Sequence, residues 1–119
     1  MKLQKLYAAL LVQDLSRAEE WYTKFLGRKA DYRPMNTLVQ WELGPTGGLQ
    51  LTSDSKLAGH GAMSLVVADI ETERSRLDTV GIALGKSVKG TYSTLAQAND
   101  LDGNLIVLAT PPSPSYPPA

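Results

Sequence analysis

Apolar and polar residues alternate along residues 3–12, and this period of two predicts a β-strand. After Asp14 the apolar residues recur every three or four positions, which predicts an amphipathic helix that ends at Gly27. Asp14 or Ser16 can cap this helix, and Ser16 with Glu19 fits the S-x-x-E capping box. The pattern therefore predicts a strand that leads directly into a helix.

The same order of patterns returns further along the chain. Asp14 and Asp69 each follow an apolar run and precede a helical pattern, and they lie 55 positions apart. The second copy predicts a strand over residues 62–67 and a helix over residues 70–80. After each helix, short alternating runs predict three strands, which cover residues 29–33, 38–43, 48–52, 82–88, 94–99 and 105–108. A β-α-β-β-β unit is thus predicted twice, and two copies favour paired halves around a shared site over a solenoid.

The length of 119 residues indicates one domain over residues 1–112, because each half alone would be marginally stable. The first repeat covers about residues 3–53 and the second about residues 61–110. Residues 113–119 form a proline-rich tail that cannot continue a sheet, since proline lacks the N–H donor. We expect an α+β domain in which one face of each half-sheet packs under a helix. The two remaining faces would line an open cup.

Composition excludes several classes of function. Twelve Lys and Arg residues balance twelve Asp and Glu residues without a basic run, which argues against a nucleic-acid partner. The absence of cysteine excludes disulfides, thiolate nucleophiles and thiolate metal ligands. No apolar run approaches the roughly 18 residues of a membrane span, and the first residues do not form a secretory signal. We therefore expect a cytoplasmic protein without membrane association.

Three segments of the chain carry a family resemblance: Val12-Gln13-Asp14-Leu15, the helix ending in Trp21-Tyr22-Thr23-Lys24-Phe25-Leu26-Gly27, and the turn Asp100-Leu101-Asp102-Gly103-Asn104. Together they resemble the glyoxalase/bleomycin-resistance/extradiol-dioxygenase superfamily, also called vicinal oxygen chelate proteins. The resemblance spans residues 3–110 and implies two βαβββ units paired into an open, cup-shaped sheet. It also implies a homodimer, because relatives often complete the cup across a subunit interface. It leaves the activity open, since this fold carries isomerases, dioxygenases, lyases and drug-binding proteins.

The resemblance further implies four metal-ligand positions on the inner strands of the cup. In this chain they correspond to Tyr7, Gln50, Ala62 and Val107, where metal-dependent relatives have His or Glu. Divalent metal sites need converging imidazole, carboxylate or thiolate donors, and these four side chains provide none. We therefore expect no metal and no other cofactor.

Four polar residues of the predicted cup wall can contact a ligand. Tyr7 can stack on a ligand or donate its hydroxyl, or it can fill the space that a metal would occupy. Gln50 can contact a ligand or form a hydrogen bond with Tyr7. Gln40 and Glu42 also face the cup by the two-residue period, whereas Trp41 faces the helix side. Glu42 is the one acidic residue expected on this wall, as a ligand contact, a base or a solvated edge residue.

Two further candidates lie in loops. His60 is the only histidine and stands between two glycines, either as a rim residue that acts as a base or as an exposed loop residue. Tyr92 lies in a loop that folds over the cup mouth in many relatives, so it can close on a ligand.

We expect a metal-independent small-molecule binding protein that sequesters an aromatic or polar compound, with Tyr7, Gln50, Glu42, Gln40, Ala62, Tyr92 and Val107 as ligand contacts. One alternative is a metal-independent lyase or isomerase that uses His60 or Glu42 as its base. Another is a degenerate scaffold that acts in protein association.

Overall fold

The computed structural model describes all 119 residues and contains the β-α-β-β-β order twice. The first copy consists of β1 (Leu6–Val12), α1 (Leu15–Leu26), β2 (Tyr32–Met35), β3 (Leu38–Gly44) and β4 (Gly47–Ser53). The second consists of β5 (Ala62–Val66), α2 (Ile70–Thr79), β6 (Val88–Lys89), β7 (Thr94–Asn99) and β8 (Leu105–Ala109). The predicted α+β class and the internal repeat are confirmed. Neither helix is long and apolar enough to cross a membrane.

The first compact unit comprises residues 1–62 and 99–104. Its sheet has the order β1-β4-β3-β2, with β1 parallel to β4 and the other neighbours antiparallel. Helix α1 packs against β3 and β4 on one sheet face. Alternate strand residues are buried there with one stripe of the helix, and they include Leu10, Val12, Tyr22, Trp41 and Leu49. Trp41 thus lies in the core, as its strand parity predicts.

The second compact unit comprises residues 63–98 and 105–119. Its sheet has the order β5-β8-β7-β6, and its core contains Met63, Ile70, Leu77, Ile106 and Leu108. Helix α2 contributes two buried residues where α1 contributes three, in keeping with its more polar sequence.

Both helices begin at an aspartate that precedes the first helical residue. The Asp14 carboxylate accepts the Arg17 N–H at 3.1 Å, and the Asp69 carboxylate accepts the Glu71 N–H at 3.3 Å. The Ser16 capping box is therefore wrong, because Ser16 already lies inside α1 and the carboxylate two residues earlier satisfies the free N–H. At the other end, Gly27 adopts the predicted left-handed conformation, with φ of 75°.

Two predicted strands differ from the structure. Only the last residue of the predicted 82–88 strand lies in β6, because the Arg74 guanidinium holds the preceding segment in another conformation. It donates to the carbonyl oxygens of Leu84 and Gly85 at 2.8 and 2.9 Å and to Ser87 Oγ at 2.7 Å. Strand β2 begins at Tyr32, three residues later than predicted.

The turn at residues 100–104 buries two polar residues, Asp100 and Asn104. The Tyr22 hydroxyl donates to Asp100 Oδ2 at 2.7 Å, and the Asn104 amide donates to the same oxygen at 2.8 Å. Asn104 Nδ2 also donates to the Leu11 carbonyl at 2.9 Å, while its Oδ1 accepts the Gly61 N–H at 2.8 Å. Burial and the bond to Asp100 raise the pKa of the Tyr22 phenol far above its usual value. The Asp-x-Asp-Gly-Asn turn therefore ties α1 and β1 together inside the first unit.

Candidate functional site

The sheet face opposite α1 in the first unit carries polar residues in rows that cross the strands. In one row Tyr7 on β1 and Glu42 on β3 are both in register with Gly48 on β4. In the next row Ala9 and Gln40 flank Gln50 in the same way. Because residues in register on neighbouring strands share a face, four residues predicted for one wall lie side by side.

Gly48 allows Tyr7 and Glu42 to meet across the intervening strand. It carries no side chain, so nothing stands between the two in their row. A Cβ atom at Gly48 would lie 1.8 Å from the Trp41 carbonyl oxygen, which no side chain can tolerate. Gly48 therefore permits the close pairing of β4 with β3. It also leaves the space between Tyr7 and Glu42 free of a side chain.

Hydrogen bonds and one ion pair connect these side chains into what we call the polar cluster, formed by Lys5, Tyr7, Gln40, Glu42 and Gln50. The Tyr7 hydroxyl donates to the Glu42 carboxylate, with its oxygen 2.6 Å from Oε1 and 2.9 Å from Oε2. Gln40 Nε2 donates to Glu42 Oε1 at 3.1 Å and to the Tyr7 oxygen at 3.3 Å. Gln50 Nε2 donates to Gln40 Oε1 at 2.8 Å. Lys5 Nζ forms an ion pair with Glu42 Oε1 at 3.6 Å.

These contacts fix the charges of the cluster near neutral pH. The hydrogen bond from Tyr7, followed by those from Gln40 and the charge of Lys5, lowers the pKa of the Glu42 carboxyl. The same carboxylate raises the pKa of the Lys5 ammonium through its charge, and raises the pKa of the Tyr7 phenol mainly through the hydrogen bond. The cluster therefore contains an ionised carboxylate, an ionised ammonium and a protonated phenol, and its net charge is zero.

The cluster contains four of the predicted ligand contacts, and one detail differs. Gln50 bonds to Gln40 and not to Tyr7, because Gln40 is its partner in register on the neighbouring strand. Lys5 was not predicted as a site residue, although strand parity places it on the same face as Tyr7.

The remaining predicted residues lie outside this hydrogen-bonded group. Ala62 opens β5 with an exposed side chain, and Val107 is half-buried in β8. The Tyr92 ring packs edge-on against the ring of Tyr116, with centroids 5.5 Å apart, so it contacts the tail. His60 lies exposed in the loop before β5. The structure gives none of these four a polar side-chain partner.

Comparison with solved structures identifies the fold. A glyoxalase/bleomycin resistance protein from Catenulispora acidiphila matches with a TM-score of 0.84 and 26% sequence identity. The match covers 91% of this chain and 98% of that protein. This chain is a member of the glyoxalase/bleomycin-resistance superfamily.

Two further structures of the superfamily fold match at lower identity. An antibiotic binding protein from Streptomyces sp. CB03234 has a TM-score of 0.78 and 22% identity, covering 93% of this chain and 96% of its own. Lactoylglutathione lyase from Agrobacterium tumefaciens has a TM-score of 0.74 and 19% identity, covering 88% and 91%. No family model and no curated protein sequence matches the chain.

The metal of many superfamily members does not fit the donors of this chain. At the four positions that the family resemblance assigns to metal ligands, this chain has a phenol, an amide, a methyl group and an isopropyl group, from Tyr7, Gln50, Ala62 and Val107. The Tyr7 phenol keeps its proton, since its pKa is raised. Glu42 is the one carboxylate of the cluster, and the chain contains no group of three or more His, Cys, Asp or Glu residues arranged to hold a metal ion. A divalent cation would find one good donor where three or four are needed.

Proposed function

We propose that this chain is a metal-independent small-molecule binding protein of the glyoxalase/bleomycin-resistance type. Its ligand, a polar or aromatic compound, lies against the polar cluster on the open face of the first sheet. The observation that carries this proposal is the hydrogen-bonded set of Tyr7, Glu42, Gln40 and Gln50, which is held on paired strands. Side chains on a sheet that hydrogen-bond to one another are already oriented before a ligand binds. This preorganisation favours binding.

The surroundings of the cluster suit a ligand of mixed polarity. The next row across the sheet is mainly apolar, with Leu11, Thr52, Leu38 and Met35 in register. Tyr32 is in register with Gln40 and is 59% exposed. A few oriented polar groups beside apolar and aromatic surface are typical of small-molecule sites. One superfamily structure, from Streptomyces, is that of an antibiotic binding protein, which supports the same kind of role.

The enzyme alternative has less support. A general base works best when its pKa lies near the working pH, and the pKa of Glu42 is lowered instead. Both Glu42 oxygens already accept the Tyr7 hydroxyl. His60 is exposed and has no carboxylate partner that would orient it. No observation therefore favours a lyase or isomerase over a binding protein.

Three broader expectations belong to the same proposal. The function needs neither a nucleic acid nor a membrane, which agrees with the zero net charge, and the proposed location is the cytoplasm. A homodimer is proposed from the family resemblance. The homodimer is tested together with the ligand.

Native mass spectrometry of protein purified without added metal tests the proposal. We expect a stoichiometric organic adduct without metal, on a mass that corresponds to two chains. Glu42→Leu should abolish the adduct, because it removes the acceptor that orients Tyr7 and Gln40. The matched control is Glu20→Leu on the exposed surface of α1, which should keep the adduct. A stoichiometric transition metal, or an adduct that persists in Glu42→Leu, would contradict the proposal.

A further inference from the structure

The charge of Glu42 sets the direction of every hydrogen bond in the polar cluster. An ionised carboxylate can only accept, so Gln40 must present its NH₂ group to Glu42 Oε1, 3.1 Å away. The carbonyl of Gln40 is then turned toward Gln50. Gln50 must therefore present its own NH₂ group, and the Nε2 to Oε1 distance of 2.8 Å fits this direction. The orientation of Gln50 thus follows from a charge on the next strand.

The chain of hydrogen bonds ends at Gln50. One N–H of its NH₂ group is used by Gln40, while its Oε1 and its second N–H have no partner. The residue in register on the outer side is Ala9, which is small and exposed, so no large side chain blocks the approach to Gln50 from β1. Gln50, the last residue in this series of hydrogen bonds, therefore offers a fixed acceptor and a fixed donor to a molecule from solution.

The charges of the cluster disfavour an ionic ligand at this position. Lys5 lies 3.6 Å from Glu42 and balances its charge. The carboxylate oxygens accept from Tyr7 and Gln40. A cation would have to displace these partners, and an anion would meet the carboxylate. A neutral ligand has neither cost.

We propose that Gln50 recognises a neutral ligand that carries a hydrogen-bond donor and acceptor side by side, as in a lactam, an imide or a ureide. The ligand N–H donates to Gln50 Oε1, and the ligand carbonyl accepts the free Nε2–H. The ring of the ligand lies over Ala9. This inference rests on the proposed function, since it needs this sheet face to be a binding site, and it adds the chemical class of the ligand.

Side-chain amide NMR of the ¹⁵N-labelled protein tests the inference with three probes. The probes are 2-pyridone, its N-methyl derivative without the N–H donor, and benzylammonium as a cation. We expect 2-pyridone to shift the Gln50 NH₂ resonances, with N-methyl-2-pyridone about fivefold or more weaker because one hydrogen bond is lost. Gln50→Met assigns these resonances and should reduce 2-pyridone binding by a similar factor. Gln4→Met, the same change at an exposed glutamine ahead of β1, is the matched control and should leave binding unchanged.

A Glu42→Gln variant tests the direction of the hydrogen bonds separately. With a neutral amide at this position, Gln40 and Gln50 can both reverse, and Gln50 can then offer NH₂ outward. The preference for 2-pyridone over its N-methyl derivative should therefore disappear. Equal binding of the two pyridones to the unaltered protein, or stronger binding of benzylammonium, would overturn the ligand class and leave the binding site standing. Absence of shifts on this face with all three probes would overturn the inference and the proposed function together.

Discussion

Replacing Asn104 by aspartate tests the buried turn of the first unit by a change of one atom and one charge. In the structure Nδ2 donates to the Leu11 carbonyl and to Asp100 Oδ2, at 2.9 and 2.8 Å. An aspartate oxygen at this position would face two acceptors, one of them a carboxylate. Asn104 is fully buried, so water cannot compensate. The substitution should therefore strongly destabilise the folded protein.

The magnitude follows from the cost of an uncompensated charge. Leaving a buried charge without a partner costs about 3–5 kcal/mol, a large part of the roughly 5–15 kcal/mol that stabilises a small domain. We therefore expect Asn104→Asp to lower the free energy of unfolding at pH 7 by about 3 kcal/mol or more. Asn99→Asp is the matched control, because it adds the same charge in an exposed residue at the edge of the same turn. Its effect should stay within about 0.5 kcal/mol.

Urea unfolding, followed by tryptophan fluorescence at several pH values, measures both variants. Burial beside Asp100 raises the pKa of the new carboxyl above its unfolded value of about 3.9. The penalty is therefore complete above the raised folded pKa and shrinks as the pH falls to the unfolded value, because the protonated acid can donate one of the two hydrogen bonds again. The two variants should converge on acidification. A difference below about 1 kcal/mol at pH 7, or one that does not shrink on acidification, would refute the reasoning.

Four further predictions concern the helix ends and metal. Gly27→Val should lower the free energy of unfolding by at least about 1 kcal/mol, measured by urea unfolding, because a β-branched residue is strained at a φ of 75°. In the same assay Asp14→Ala should cost about 1 kcal/mol and Ser16→Ala less than about 0.5 kcal/mol, and the reverse order would restore the capping box. Hydrogen bonds from Thr72 and Glu71 lower the pKa of the Asp69 carboxyl. The stability that Asp69 contributes is therefore complete above its unfolded pKa and is lost as the pH falls through the lowered folded pKa. Asp69→Asn should flatten this part of the curve of unfolding free energy against pH. Chelation by EDTA should leave the melting temperature unchanged, and a drop of several degrees would contradict the assignment of Tyr7, Gln50, Ala62 and Val107.

The alternation of residues along each strand predicted which side chains share a face. It did not predict which of those side chains form hydrogen bonds with one another. The period of two placed Tyr7, Gln40, Glu42 and Gln50 on one wall, because alternation along a strand is a local property. It could not show that Gln50 bonds to Gln40, since that contact depends on the register between β3 and β4. Register in turn depends on the glycines at the start of β4, whose close backbone approach has no signature in hydrophobic periodicity.

The wrong elements arose from charged side chains that lie just outside the predicted segments. The apolar run after α2 has strand-like composition, yet Arg74 captures the carbonyl oxygens of Leu84 and Gly85. Ser16 fits a capping pattern, yet Asp14 reaches the Arg17 N–H first. Local propensity describes what a segment can do alone. In both places a charged side chain outside the segment decided the conformation.

The first unit contains two networks of the same chemistry with opposite outcomes, and the contrast supports a ligand at one of them. Around Asp100, the Asn104 amide uses both its N–H groups and its oxygen, and the group is closed on itself. Around Glu42, the hydrogen bonds run outward and end at Gln50 with an oxygen and an N–H unused. A network that served only the fold would gain from closure, because unsatisfied polar groups add nothing to stability. The open end is stable in the free protein because it is accessible to water. Displacing that water with a complementary ligand would complete the second network as Asn104 completes the first.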